Sequence, residues 1–182
     1  FHDSYYGFSH MESAGICQSS GYIWYDNLSY YWLDPAKEQA RDYIIDLALE
    51  CARLGFDELL LEEVTYPSSG KLEKIDYSGN ELDKVQALTL FLTELREALE
   101  PYDIRIALLV EDDALLDWEE GTMAETTGQD MKQLLPLVDA VYVQTSDVEA
   151  AEAAVAGAAP EKTPALVPVT EEALAAGNWY IS

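Results

Sequence analysis

Five acidic residues stand directly behind two apolar runs. Glu62 and Glu63 follow Leu59-Leu60-Leu61, and Glu111, Asp112 and Asp113 follow Ile104-Arg105-Ile106-Ala107-Leu108-Leu109-Val110. Carboxylates held in pairs can break a glycosidic bond. One is kept protonated and gives its proton to the leaving oxygen, while the other is ionised and acts as nucleophile or base. The required gap is about 5 Å in retaining enzymes and about 6.5–9.5 Å in inverting ones. Neighbouring strands lie about 4.8 Å apart, so carboxylates that end adjacent strands fall naturally in this range. Glu62 and Glu111 end two successive strands and are the candidate catalytic pair, with the acid and the nucleophile left unassigned. Successive residues on a strand face opposite sides, so only one of Glu62 and Glu63 is expected in a shared cleft. The plainer readings are a solvated or salt-bridged rim for Glu62 and Glu63, and an exposed acidic loop for 111–113. An oxygen-ligand metal site at 111–113 is a third option, but the spacing does not match a calcium loop. No metal and no cofactor is expected.

The elements that must hold these groups are legible as an alternation. Asp34 suits an N-cap and Pro35 a first helical position. Ala40, Tyr43, Ile44, Leu47, Cys51 and Leu54 then recur at three and four residues, an apolar helical stripe that Gly55 stops. Leu59–Leu61 reads as a strand buried on both faces, as parallel strands are. Val85, Leu88, Leu92, Leu95 and Leu99 predict a second helix, and 104–110 a second strand. A helix near 129–137 leads to a strand at Ala140–Thr145. An Ala-rich helix over 148–158 leads to another strand at Ala165–Val169. A short helix over 171–176 precedes Asn178-Trp179-Tyr180-Ile181. Helix and strand alternate about five times, which means a parallel sheet with right-handed crossovers. No glycine-rich phosphate motif follows any strand, which weakens a nucleotide-binding version. Polar groups end several strands, where (β/α)8 barrels place their sites. The expected fold is α/β, a partial (β/α)8 TIM barrel forming one domain over residues 1–182.

Residues 1–33 show no sustained helical period but are rich in aromatic side chains, among them Tyr5, Phe8, Tyr25 and Tyr31. They are read as a strand end and a long loop, with a short hairpin around 21–31. These rings either pack over the rim or form a platform for sugar rings. His2 and Asp3 would sit at the mouth if a strand ends there, and His2 could bind substrate or tune a carboxylate. Gln144 and Thr145 end a strand and could hydrogen-bond sugar hydroxyls. Trp179 is a candidate stacking wall.

Composition narrows the partners. The chain has 182 residues, 35 of them acidic and 10 basic, a formal charge of −25. Such a chain repels phosphate backbones and anionic membranes, so no nucleic acid partner is expected. No apolar run approaches the roughly 20 residues of a membrane span, so no membrane insertion is expected either. Cys17 and Cys51 are in no metal or redox spacing. Cys51 is expected to be buried and inert.

At Trp32-Leu33-Asp34-Pro35 and Leu54-Gly55-Phe56-Asp57-Glu58-Leu59 the chain resembles a bacterial family described as "putative glycosyl hydrolase domain", distantly similar to amylase-like barrels. The family pattern runs W-[VIL]-D-P, a helix, then L-G-F-D-E-[IL]-x-F-D-Y-[VI]-R-F-P. Here its last part reads Leu-Gly-Phe-Asp-Glu-Leu-Leu-Leu-Glu-Glu-Val-Thr-Tyr-Pro. The resemblance covers residues 1 to about 145, and more weakly the rest. It implies that Phe1-His2-Asp3 ends the third barrel strand and that the first strands lie upstream or come from a partner. The register favours Glu62, which stands at the family's Asp. Glu63 replaces a Tyr and is assigned to the substrate-binding rim, and Thr65 replaces an Arg. The resemblance implies a secreted or envelope protein that hydrolyses a polysaccharide with Glu62 and Glu111. Asp3, His2, Glu63, Gln144 and Trp179 are its candidate substrate-binding residues. The departures at 62, 63 and 65 keep a degenerate, glycan-binding or scaffold barrel open as the alternative. An unrelated α/β domain with merely solvated strand ends is the third reading.

Overall fold

The computed structural model describes Phe1 and residues 3–169. His2, the predicted helix over 171–176 and the segment with Trp179 and Tyr180 lie outside the described residues. Four strands, β1 (Glu58–Leu61), β2 (Arg105–Glu111), β3 (Ala140–Gln144) and β4 (Ala165–Val169), form one parallel sheet in the order β1-β2-β3-β4. Helices separate them in sequence: α3 (Lys84–Leu99) between β1 and β2, and α7 (Val148–Ala158) between β3 and β4. This is the α/β alternation of a partial barrel.

Alternation along each strand sorts the side chains into two layers. Leu59, Leu61, Ile106, Leu108, Val110, Val141, Val143 and Leu166 enter one core with Leu88, Phe91, Leu92, Leu95 and Leu99 of α3. Glu58, Leu60, Leu109 and Tyr142 alternate with them, belong to the opposite face and are half-buried. Arg105 lies 2.9 Å from Glu58 Oε2, and the Tyr142 hydroxyl donates to Glu58 Oε1 at 2.7 Å. Three strands are thus cross-linked on this face.

Local chemistry sets the helix ends. Asp83 and Gln86 form a reciprocal capping box at the start of α3. Gly55 ends the helix α2 (Glu38–Leu54) at φ 88°, a left-handed conformation that glycine adopts without steric cost. At its other end α2 departs from expectation. It begins at Glu38, with Lys37 at the cap position and no capping side chain. Residues 34–37 instead make a turn in which Lys37 N donates to Asp34 O at 2.9 Å. The Asp34 carboxylate has other partners, described below.

The predicted apolar stripe of α2 is also rotated. Ala40, Arg41 and Ala48 are buried, whereas Leu47 and Leu54 are exposed and Cys51 is only half-buried. The cause is Arg41. Its guanidinium reaches Glu94 on α3 at 2.6 Å and Pro35 O at 2.9 Å, so this face turns inward. Both cysteines are free thiols. Among the described residues no helix is long and apolar enough to cross a membrane.

The N-terminal segment is more structured than the sequence suggests. Asp3 starts a short helix, α1 (Ser4–Ser9), rather than ending a strand. Isolated bridges join Gly15 to Leu33, Cys17 to Ile23 and Tyr25 to Tyr31, which makes the expected hairpin. A further bridge, Gln18 to Ile75, fastens this lobe to the loop after β1. That loop includes a single 3-10 turn, Leu72–Lys74.

Candidate functional site

The C-terminal edge of the sheet gathers the predicted polar groups. Leu61 is paired with Leu108, and Glu111 with Gln144. Glu62 follows Leu61 directly. By alternation it shares the face of Glu58 and Leu60, and Glu111 shares that of Ala107 and Leu109. Glu62, Glu111 and Gln144 are all exposed. Glu62 and Glu111 therefore leave neighbouring strands at the same end of the sheet, with Gln144 paired to Glu111.

Glu63 breaks the strand. Its φ of 52° is left-handed, which ends β1 and turns the chain toward the loop. Its carbonyl accepts the Phe1 amino group and Thr65 N. Phe1 packs edge-on against Phe91, with ring centroids 4.6 Å apart, and its own carbonyl accepts Leu33 N at 2.9 Å. The start of the described chain is thereby held beside the exit of β1.

Asp3 is tied into the structure. Its Oδ1 accepts Tyr6 N at 2.8 Å and its Oδ2 accepts the Tyr43 hydroxyl at 2.9 Å. Tyr43 stacks on Tyr6, with centroids 3.7 Å apart. Burial, with the bond to Asp3 adding to it, pushes the Tyr43 hydroxyl up to about 12. Asp3 thus joins α1 to α2.

The acidic run after β2 is no open loop. Glu111 stands at the N-cap position of a short helix, α4 (Asp112–Leu116), without a capping bond. Asp112 and Asp113 form its first turn, where carboxylates are favoured by the exposed N–H groups. A second short helix, α5 (Thr122–Thr127), follows. The predicted helix near 129–137 is split into α6 (Met131–Leu134) and a 3-10 turn, Leu135–Leu137, at Pro136. Thr145 is buried, and its Oγ1 accepts Asp147 N at 3.0 Å rather than facing the cleft. Among the described residues no group of three or more His, Cys, Asp or Glu is arranged to hold a metal ion.

One buried carboxylate escaped the sequence reading. Asp34 is only 2% exposed. It accepts the Tyr66 hydroxyl at 3.0 Å, Asn80 Nδ2 at 2.9 Å and Ala36 N at 3.1 Å. Burial first, and the Asp34 charge second, raise both the Tyr66 and the Tyr77 hydroxyls well above the usual phenol range. The residue type signalled a cap, and only the distant partners reveal the network. Beside it lies a cavity of about 590 Å3, bordered by Tyr66, Tyr77, Asn80 and Lys84. The Lys84 ammonium stands 5.7 Å and 5.3 Å from the two tyrosine ring centroids and donates to Thr126 O. Neither Glu62 nor Glu111 lines this cavity.

No curated protein and no solved structure matches the chain at a significant level. A family model described as "Putative glycosyl hydrolase domain" matches residues 1–161. With the parallel sheet and helices of a partial barrel beneath it, that match gives the chain a glycosidase-like role in general terms. The chain belongs to the "putative glycosyl hydrolase domain" family.

Proposed function

We propose that the chain hydrolyses a glycosidic bond in a polysaccharide, with Glu62 and Glu111 as the working pair. The register of β1 on β2 carries the reading. Continued one residue past Leu61 and Leu108, it sets Glu111 two residues beyond the partner of Glu62. With about 4.8 Å between strands and about 3.3 Å per residue, the two Cα atoms come roughly 8 Å apart. Glutamate side chains rising from Cα atoms this close can bring their carboxyl groups within the about 5–9.5 Å that retaining and inverting glycosidase pairs span. One carboxylic acid would protonate the leaving oxygen. The other carboxylate would attack the sugar as nucleophile or take a proton from the attacking water. Gln144, beside Glu111, would hold a sugar hydroxyl, and Glu63 would line the rim. Asp3 would steady the wall through Tyr43. His2 and Trp179 belong to this reading on sequence grounds alone.

The edge of β1, paired on one side only among the described residues, supports further strand–helix units completing the barrel. Work on a polysaccharide agrees with a place outside the cell or in its envelope. A second reading, a degenerate glycan-binding barrel, is favoured by Thr65. Where the family has an Arg, the Thr65 hydroxyl donates to Tyr66 O at 3.0 Å and supplies no cation to the cleft.

The test is reducing-sugar release from a panel of polysaccharides by the wild-type chain and by Glu62→Gln and Glu111→Gln. Loss of release with retained glycan binding in both variants supports the pair. Unchanged release in both overturns it. Binding without release by the wild type makes the degenerate barrel the correct reading.

A further inference from the structure

We infer that the chain carries a second carbohydrate site on its N-terminal hairpin, built around the Tyr25 ring and separate from Glu62 and Glu111. The inference takes its ligand class, a pyranose unit of a polysaccharide, from the glycan reading above. It does not depend on which residues do the hydrolysis.

The hairpin presents rings on a stiff frame. Tyr25 is bridged to Tyr31, and Tyr25, Leu28 and Tyr30 are exposed. The turn between them is locked by Asp26. Its Oδ1 accepts Leu28 N at 2.8 Å and Tyr30 N at 2.9 Å, and its Oδ2 accepts the Trp32 indole N–H at 3.1 Å. The Tyr25 ring stands edge-on to Tyr31, with centroids 6.4 Å apart. An exposed ring held this way loses little freedom on binding, which favours affinity.

Beside Tyr25 is a cavity of about 210 Å3, lined in part by Gln18, Asn27, Lys71 and Lys74. It is smaller than the about 300–1,000 Å3 of pockets for drug-sized ligands, and suits a single ring. The loop after β1 delivers the lysines. Gly70, at φ 104°, has no side chain, and a Cβ there would lie 2.9 Å from the Trp24 ring. The loop therefore lies flat on Trp24, whose indole N–H donates to Lys71 O at 3.0 Å. Ser19 N donates to Lys74 O at 3.2 Å.

Arg41, Arg96 and Arg105 are committed to Glu94, Asp139 and Glu58. Among the described residues, neither Lys71 nor Lys74 makes an ion pair, although acidic residues outnumber basic ones by 35 to 10. Amide and ammonium donors beside one open aromatic face match an amphipathic pyranose. Its C–H face stacks on the ring, and its hydroxyls, or a uronate carboxylate, meet the donors.

The test is titration of the 15N-labelled chain with neutral glycans (dextran, glucomannan and chitin oligosaccharides) and uronates (polygalacturonate and alginate oligosaccharides). The proposal expects saturable amide shifts over residues 24–31 and 71–74 with at least one glycan. Tyr25→Ala should weaken that binding about tenfold, the upper range for one aromatic contact. Lys71→Gln/Lys74→Gln should weaken it too, and salt should mimic that loss only if the ligand is a uronate. Glu62→Gln and Glu111→Gln should leave the hairpin shifts unchanged. Hairpin shifts with catalytically silent Glu62 and Glu111 variants would keep this site and remove the proposed pair. Shifts confined to the sheet edge, no shifts with any glycan, or wild-type binding by Tyr25→Ala would overturn it.

Discussion

Asp34 and Tyr66, 32 residues apart in sequence, meet at 3.0 Å with both side chains buried. The hydroxyl donates and the carboxylate accepts, which pins the turn before α2 to the loop after β1. The same carboxylate takes Asn80 Nδ2 and Ala36 N. Hydrogen bonds to a charged group contribute about 1.5–3 kcal/mol each when lost, and orphaned partners add to the cost. Asp34→Ala should therefore destabilise the fold by about 3 kcal/mol or more, and Asp34→Asn by less. Urea unfolding midpoints of the two variants check the order. Equal stability of Asp34→Ala and wild type would contradict the network.

Glu62 and Glu111 are exposed strand-end side chains, so their amide variants should unfold within about 0.5 kcal/mol of wild type. Under the proposed function the same variants should lose about 10²–10⁴-fold in hydrolysis, the usual worth of a positioned acid or base. Parallel measurement of turnover and unfolding separates a chemical role from a structural one. A loss of activity matched by a loss of stability would count against the pair.

Asp139 should govern part of the acid stability. Burial pushes its carboxyl up, but the Ile106 N–H at 2.9 Å and the Arg96 guanidinium at 2.9 Å more than offset it, so its value lies below the usual range. A carboxyl depressed in the folded state stabilises above its unfolded value, near 3.9. That contribution is lost as pH falls through the folded value. Asp139→Asn should be less stable than wild type at neutral pH, and the gap should close below about pH 4. A pH series of urea midpoints measures this, and a constant gap would contradict it.

Tyr43 gives the opposite limb. Its hydroxyl is raised to about 12 by burial and by its bond to Asp3. A phenol raised in the folded state keeps its stabilising effect below the unfolded value, near 10. The effect falls away as pH climbs from there toward about 12. Asp3→Asn should bring the Tyr43 titration down toward the ordinary value. NMR of 13C-labelled tyrosine ring carbons would follow it. An unmoved Tyr43 titration would remove Asp3 as a cause.

Much of the framework is legible in the sequence. Three- and four-residue apolar spacing marked α3 from Leu88 to Leu99, and short apolar runs marked all four strands, because burial of one helix face or of both strand faces leaves a local pattern. Glu62, Glu111 and Gln144 could be placed at strand ends for the same reason. What stayed hidden depended on partners far along the chain. Asp34 looked like a cap because aspartate before a helix usually is one, yet Tyr66 and Asn80 outcompete the helix N–H groups for it. Arg41 turned α2 away from its apparent stripe through Glu94, 53 residues on. Gly70 brings Lys71 to Trp24 across 47 residues. Periodicity within the sequence determined which elements form and what ends each strand. Only tertiary contact decided which polar groups are buried together, because pairing energies of side chains dozens of residues apart leave no spacing to read.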